Sequence, residues 1–192
     1  GLTAGASAPE ILVREVVDRV GRLVYDVLHT WCDFDFVVAL WVADDIGFKT
    51  GTLISADHLR EYILPWNRRY AELAHAHGRP LILHSCGNLR QVMPDLADTV
   101  GIDARHSFED VIEPVEEYHR QWGRKVAALG GVDVDILARK SEADVVRRTQ
   151  QILEACAPRG AYACGSGNSI TNYVPVDNYL AMIETVHRFN AR

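Results

Sequence analysis

The 192 residues carry 48% hydrophobic and 24% charged side chains, the balance of a water-soluble globular chain with a sizeable core. A net charge of −6 excludes nucleic acid as a partner, because no basic stripe is present to neutralise phosphates. No apolar run reaches the length of a membrane span, and the first residues lack a charged-then-apolar signal pattern, so no membrane association is expected.

Taken in order, "GLTAG" (1–5) reads as a strand and turn. Ser7-Ala8-Pro9-Glu10 reads as a capping box opening a helix to about Leu28, with Ile11, Val16, Val20, Leu23 and Val27 near helical spacing. "FVVALWV" (36–42) is a continuous apolar run bounded by acids, as in a strand covered on both faces. Ser55 caps a helix from Ala56 that Gly78 stops, with Pro65 as a candidate kink. "PLILHS" is a strand, followed by a helix over roughly 88–98.

"GIDARH" is the next strand; Ser107 then caps a helix through "FEDVIEPVEEYHRQWG", with Glu109 and Asp110 in its first turn. "KVAALGG" is a strand, and Ser141 caps the helix of "EADVVRRTQQILEACA". "AYACGSG" is the last strand and "VPVDNYLAMIETVHRF" the closing helix. Four cysteines at 32, 86, 156 and 164 follow no disulfide framework, so a reduced, cytoplasmic setting is expected.

This alternation predicts a single α/β domain over 1–192, built on a parallel sheet with crossover helices. About six strands are recognised where a closed (β/α)8 barrel has eight, so the chain is a partial or complete barrel, or an open sheet. In either architecture, functional groups gather where strands end and the following loops begin. Asp44-Asp45, His84 to Cys86, His106, Gly130 to Asp133 and Cys164 to Asn168 all fall at that edge.

His84 and Cys86, two apart on a strand, leave the same face, and both side chains are zinc ligands. A catalytic zinc takes three protein ligands and keeps one open position, and Cys164, also at a strand end, is the candidate third. The competing reading is a buried free cysteine beside a hydrogen-bonded histidine. Cys156 and Cys32 read as small core residues. One of Asp44 and Asp45 projects into the site as acid, base or outer support, and the other braces the loop; His106 is a further candidate catalytic group. Ser166, Asn168, Asn172, Tyr173 and Asp133, on glycine-containing turns, are candidate contacts for a small-molecule substrate.

"DFDFVVALWVADDIGFKTGTLISADHLREYILPW", "RPLILHSCGNL", "GIDARHSFED", "VAALGGVDVDIL" and "GSGNSITNYVPVDNYLAMI" together resemble the uroporphyrinogen decarboxylase superfamily. The likeness covers roughly 20–192, the carboxyl-terminal half or somewhat more of a (β/α)8 barrel. The resemblance implies zinc on His84, Cys86 and a distant cysteine, methyl transfer to a thiol, and a corrinoid protein as partner. The distant cysteine aligns with Ser166 instead of Cys164, which departs from the pattern. A second branch implies decarboxylation of a tetrapyrrole-like substrate, although its Gly-His-Gly turn reads Gly165-Ser166-Gly167 here.

The opening "GLTAGASAPEILVREVV" is similar to the last βα unit of 4-hydroxy-3-methylbutenyl diphosphate reductase, which makes residues 1–20 an atypical unit and implies a diphosphate contact for Ser7. The cluster cysteines of that enzyme have no counterparts here. A third reading is a half-barrel scaffold without catalysis, whose open sheet edges predict a homodimer.

Overall fold

A computed structural model describes residues 10–191. Five parallel strands, β1 (Leu40–Ala43), β2 (Leu81–His84), β3 (Ala104–His106), β4 (Ala127–Val132) and β5 (Tyr162–Ser166), form one sheet in the order β1-β2-β3-β4-β5. Strand order equal to chain order, with no reversal, is the winding of a barrel arc and not of a doubly wound sheet. The sixth expected strand, over 1–5, and the Ser7 capping box lie outside the described residues.

Register fixes what each face does. Leu40, Val42, Leu81, Leu83 and Ala128 point to one side, where each is at most 7% exposed beneath the helices. Trp41, Ala43, His84 and His106 point to the other, and among the described residues this face carries no helix layer; Trp41 keeps 45% of its surface exposed. The five βα units are therefore an arc of a (β/α)8-type barrel with its inner face open.

The helices are α1 (Glu10–Cys32), α2 (Ala56–His58), α3 (Leu64–Ala76), α4 (Met93–Asp95), α5 (Val115–Trp122), α6 (Val134–Arg139), α7 (Glu142–Cys156) and α8 (Val176–Asn190). The continuous helix expected from Ala56 is interrupted by a π turn over Leu59–Ile63. Pro65 offers no N–H and its ring crowds the preceding carbonyls, and the wider turn just before it relieves both. Ser55 caps as expected, its Oγ accepting from the His58 N–H at 3.2 Å.

Ser141 and Asp144 form a reciprocal capping box at the start of α7. The helix expected from Ser107 begins only at Val115. Pro114 disfavours helical geometry at Glu113, so residues 109–113 form turns instead, and Ser107 and the Glu109-Asp110 pair are not in a helical first turn. Between α1 and α3, Trp66 Nε1 donates to Asp18 at 3.0 Å and the Tyr70 hydroxyl donates to the Gly21 carbonyl at 3.0 Å.

The strand expected from Phe36 begins at Leu40, leaving Phe36 and Val38 each 79% exposed beside the β1 edge. Leu23, Val27 and Trp31 of α1 are likewise exposed, so large apolar side chains of α1 and of the approach to β1 face solvent.

Candidate metal centre and adjoining cavities

β2 ends at His84 and turns at Gly87, where φ is +83°. The turn packs backbone to backbone on the loop after β1: a Cβ on Gly47 would lie 2.4 Å from the Cys86 carbonyl, and one on Gly87 2.4 Å from the Gly47 carbonyl carbon. Only glycine permits that approach. It brings Asp45 beside Cys86, whose N–H donates to Asp45 Oδ1 at 3.0 Å.

The result is a three-donor cluster. Cys86 Sγ lies 3.6 Å from His84 Nε2, Asp45 Oδ1 lies 3.9 Å from the same nitrogen, and donor atoms of all three fall within 4.8 Å of one another. Tetrahedral zinc with bonds of about 2.0–2.3 Å sets its ligand atoms about 3.3–3.6 Å apart, so the imidazole–thiol spacing fits and the carboxylate is a small movement away. Asp45 is exposed, with room to make that movement. The residues present thus fit a divalent metal of zinc type, which Asp45, His84 and Cys86 would hold.

Two neighbouring side chains donate to the cluster's sulfur. Asn168 Nδ2 donates to Cys86 Sγ at 3.2 Å and Ser107 Oγ at 3.5 Å. Burial pushes the Cys86 thiol up and the Asp45 carboxylate adds to it, while the two donors offset only part of that rise. The backbone N–H of Cys86 holds the Asp45 carboxyl below its ordinary range. His84 Nδ1 meets His106 Nδ1 at 2.6 Å, and His106 Nε2 reaches the Ser166 carbonyl at 3.2 Å. Burial drives the pKa of His106 down, which keeps that ring neutral.

Asp44 and Asp45 part company, as adjacent strand-end residues do. Asp44 turns to the helix side, where Asn67 Nδ2 donates to Oδ2 at 2.7 Å and Oδ1 is buried without a partner. Burial raises its pKa to about 7. Cys164 is not in the cluster. It lies two residues on from Tyr162, which pairs in register with the helix-side Ala128, and packs among the core residues with Tyr162, opposite to His84 and His106.

Two cavities adjoin the cluster. One of about 440 Å³ opens on the inner face between Trp41, His84, His106, Ser166 and Asn168. The other, about 720 Å³, shares Asn168 and Ser169 with it and reaches Tyr173 and Asp133. Both carboxylate oxygens of Asp133 are occupied structurally, accepting from the Asp135 N–H at 2.7 Å and the Asp110 N–H at 2.8 Å. Asn172 is exposed on the loop after β5, and the Ser166 hydroxyl donates to the Asn168 carbonyl at 2.6 Å.

Sequence reasoning did not single out Ser107 as a donor to sulfur, Asn67 as the partner of Asp44, or Trp41 as the wall behind the two imidazoles, 5.4 Å from the His106 ring. All three depend on contacts between elements. A buried Arg105–Glu113 pair at 2.7 Å, flanked by the rings of Phe108 and Tyr118, was equally invisible in the sequence.

A parallel barrel arc with an imidazole, a thiol and a carboxylate at its carboxyl edge defines a class. The chain belongs to the uroporphyrinogen decarboxylase (URO-D) family, whose model matches residues 10–189. It is similar to a methylated-thiol–coenzyme M methyltransferase of Methanosarcina mazei, 31% identical over 162 residues, which are 78% of this chain and 41% of that protein.

It is also similar to a uroporphyrinogen decarboxylase of Anaeromyxobacter dehalogenans, 30% identical over 139 residues, 71% of this chain and 38% of that one. A solved methyltransferase from Methanosarcina mazei superposes with a TM-score of 0.75 at 18% identity, covering 93% of this chain and 50% of its own, a likeness of fold. The chain thus spans about two fifths of the length of these curated relatives.

Proposed function

We propose that this chain carries the metal-binding part of a methyltransferase that moves a methyl group to a thiol, with zinc held by Asp45, His84 and Cys86. The observation that carries the reading is the convergence of those three donors within 4.8 Å at the carboxyl edge of the sheet. The similarity to a methyltransferase acting on methylated thiols supports the same chemistry. Zinc, when bound, would act as a Lewis acid that keeps a substrate thiol ionised at neutral pH.

The chain's own groups would then do the rest. Asn168 and Ser107 would steady the Cys86 sulfur, and Trp41 would shield the imidazoles. The cavity of about 440 Å³ would receive the small thiol, and the adjoining one of about 720 Å³ the larger part of the substrate, past Asn168 towards Tyr173 and Asn172. The methyl donor would be a corrinoid protein facing the open inner side of the arc. Cytoplasm suits four cysteines that are all free. The exposed apolar flank along α1 and β1 would be covered by a second copy or by further barrel units.

A second reading, decarboxylation of a carboxylated tetrapyrrole-like substrate, draws on the similarity to a uroporphyrinogen decarboxylase. It is the weaker one physically. Among the described residues, the cavity beside His84 is lined by no Lys or Arg to receive carboxylates, and the arginine lining the larger cavity, Arg139, is ion-paired to Asp135 at 2.9 Å.

Metal analysis of the purified chain tests the first reading. Close to one zinc per chain, lost in His84→Ala and Cys86→Ala, is the expected result. Zinc near zero, indifferent to both substitutions, overturns the reading and leaves a scaffold with the family's fold.

A further inference from the structure

The Ser166 main-chain carbonyl can only accept a hydrogen bond, and it lies 3.2 Å from Nε2 of His106. In the neutral ring that nitrogen therefore carries the hydrogen, which leaves Nδ1 of His106 with a bare lone pair. Nδ1 of His84 faces that lone pair at 2.6 Å. Two lone pairs repel at such a distance, so the hydrogen must sit on His84 Nδ1. His84 Nε2 is then bare, and this is the nitrogen that points at Cys86 and Asp45.

We propose that His106 is a positioning residue: it accepts the Nδ1–H of His84, holds that ring in the tautomer that presents Nε2 to a cation, and anchors it through Ser166 to β5. The direction of each hydrogen bond follows from the carbonyl at the end of the chain, with no metal needed to argue it. Its purpose rests on the zinc reading above; its geometry does not.

The surroundings are built for this ring. A Cβ on Gly130, whose φ is +95°, would lie 2.8 Å from the His106 ring, so β4 leaves out a side chain where the imidazole sits. Trp41 closes the opposite side, its ring centroid 5.4 Å from His106 and 6.5 Å from His84. A histidine without such an acceptor carries its hydrogen on Nε2 in the larger share of molecules, which would block the lone pair a metal requires.

The test uses the full chain, labelled with ¹⁵N at histidine and stripped of metal, at a pH where both rings are neutral. Two-bond nitrogen–hydrogen correlation spectra should show His84 protonated on Nδ1. In His106→Ala the Nε2–H form should take over, and zinc affinity, read by competition with a chromophoric chelator, should fall about 10–100-fold. His106→Asn, whose side-chain oxygen can accept the same hydrogen, should restore the tautomer and most of the affinity.

His84 protonated on Nε2 in the unsubstituted chain overturns the proposal, as does equal behaviour of the Ala and Asn variants. Should His106→Ala fail to fold by circular dichroism, the unsubstituted spectrum and the Asn variant decide. A chain that shows the expected tautomer yet binds no zinc would retain the relay and remove the metal reading instead.

Discussion

Asn67 Nδ2 sits 2.7 Å from one carboxylate oxygen of Asp44, while the other oxygen of Asp44 is buried with no partner. A single neutral donor cannot replace the water that a carboxylate loses, and the pKa accordingly rises from 3.8 to about 7.

That shift has a sign. A carboxyl whose folded pKa exceeds its unfolded value favours the fold fully below pH 3.8, and loses that contribution as pH rises through about 7. Chelator-treated protein should therefore be less stable to urea at pH 8 than at pH 5, by up to about 2.7 kcal/mol from this group, since only the two pH units between pH 5 and the folded pKa of about 7 count. Asp44→Asn should flatten the dependence, and an unchanged slope in the variant would refute the assignment.

Gly47 and Gly87 let two loops touch through bare backbone. Gly47→Ala and Gly87→Ala should each move Cys86 away from Asp45 and weaken zinc at least about 10-fold, since ligand geometry governs affinity. Chelator competition measures it. Gly51→Ala, where a Cβ would meet open space, is the control and should change nothing.

Asn168 and Ser107 both donate to the Cys86 sulfur. Their replacement by alanine should push the thiol further up, because each lost donor removes about 1.5 kcal/mol or more of thiolate stabilisation. Alkylation of Cys86 by iodoacetamide in metal-free protein should slow several-fold at pH 8 in either variant, and most in the double variant.

Arg105 is 1% exposed and its guanidinium is answered by Glu113 at 2.7 Å. Glu113→Ala strands a buried charge and should cost about 3–5 kcal/mol in denaturant unfolding. Arg105→Met combined with Glu113→Leu should cost much less, because neither charge then remains.

The exposed flank of Phe36, Val38 and Trp31 should draw chains together as concentration rises. Light scattering should report a mass above that of one chain, and Phe36→Glu with Val38→Glu should return the monomer.

The order of strands and helices was legible from residue pattern alone, because hydrophobic runs, caps and glycine stops are local signals. The His84-x-Cys86 pair could be read the same way, since the two-residue period of a strand fixes which side chains share a face. The pattern missed two local breaks: the helix expected from Ser107 starts only after Pro114, which disfavours helix at Glu113, and a π turn over Leu59–Ile63 precedes Pro65 within the helix expected as continuous.

What the sequence could not supply was phase between strands. Spacing says that Cys164 and Ser166 lie in phase on β5, but only the register Ala128↔Tyr162 turns Tyr162 and, two residues on, Cys164 to the helix side, away from His84 and His106. Likewise it offered Asp44 and Asp45 as equals, and only the meeting of two glycine turns brought Asp45 to Cys86. Composition and period are properties of a segment and were decided by the sequence; a site is a meeting of segments, and pairing register together with backbone approach belongs to the folded molecule.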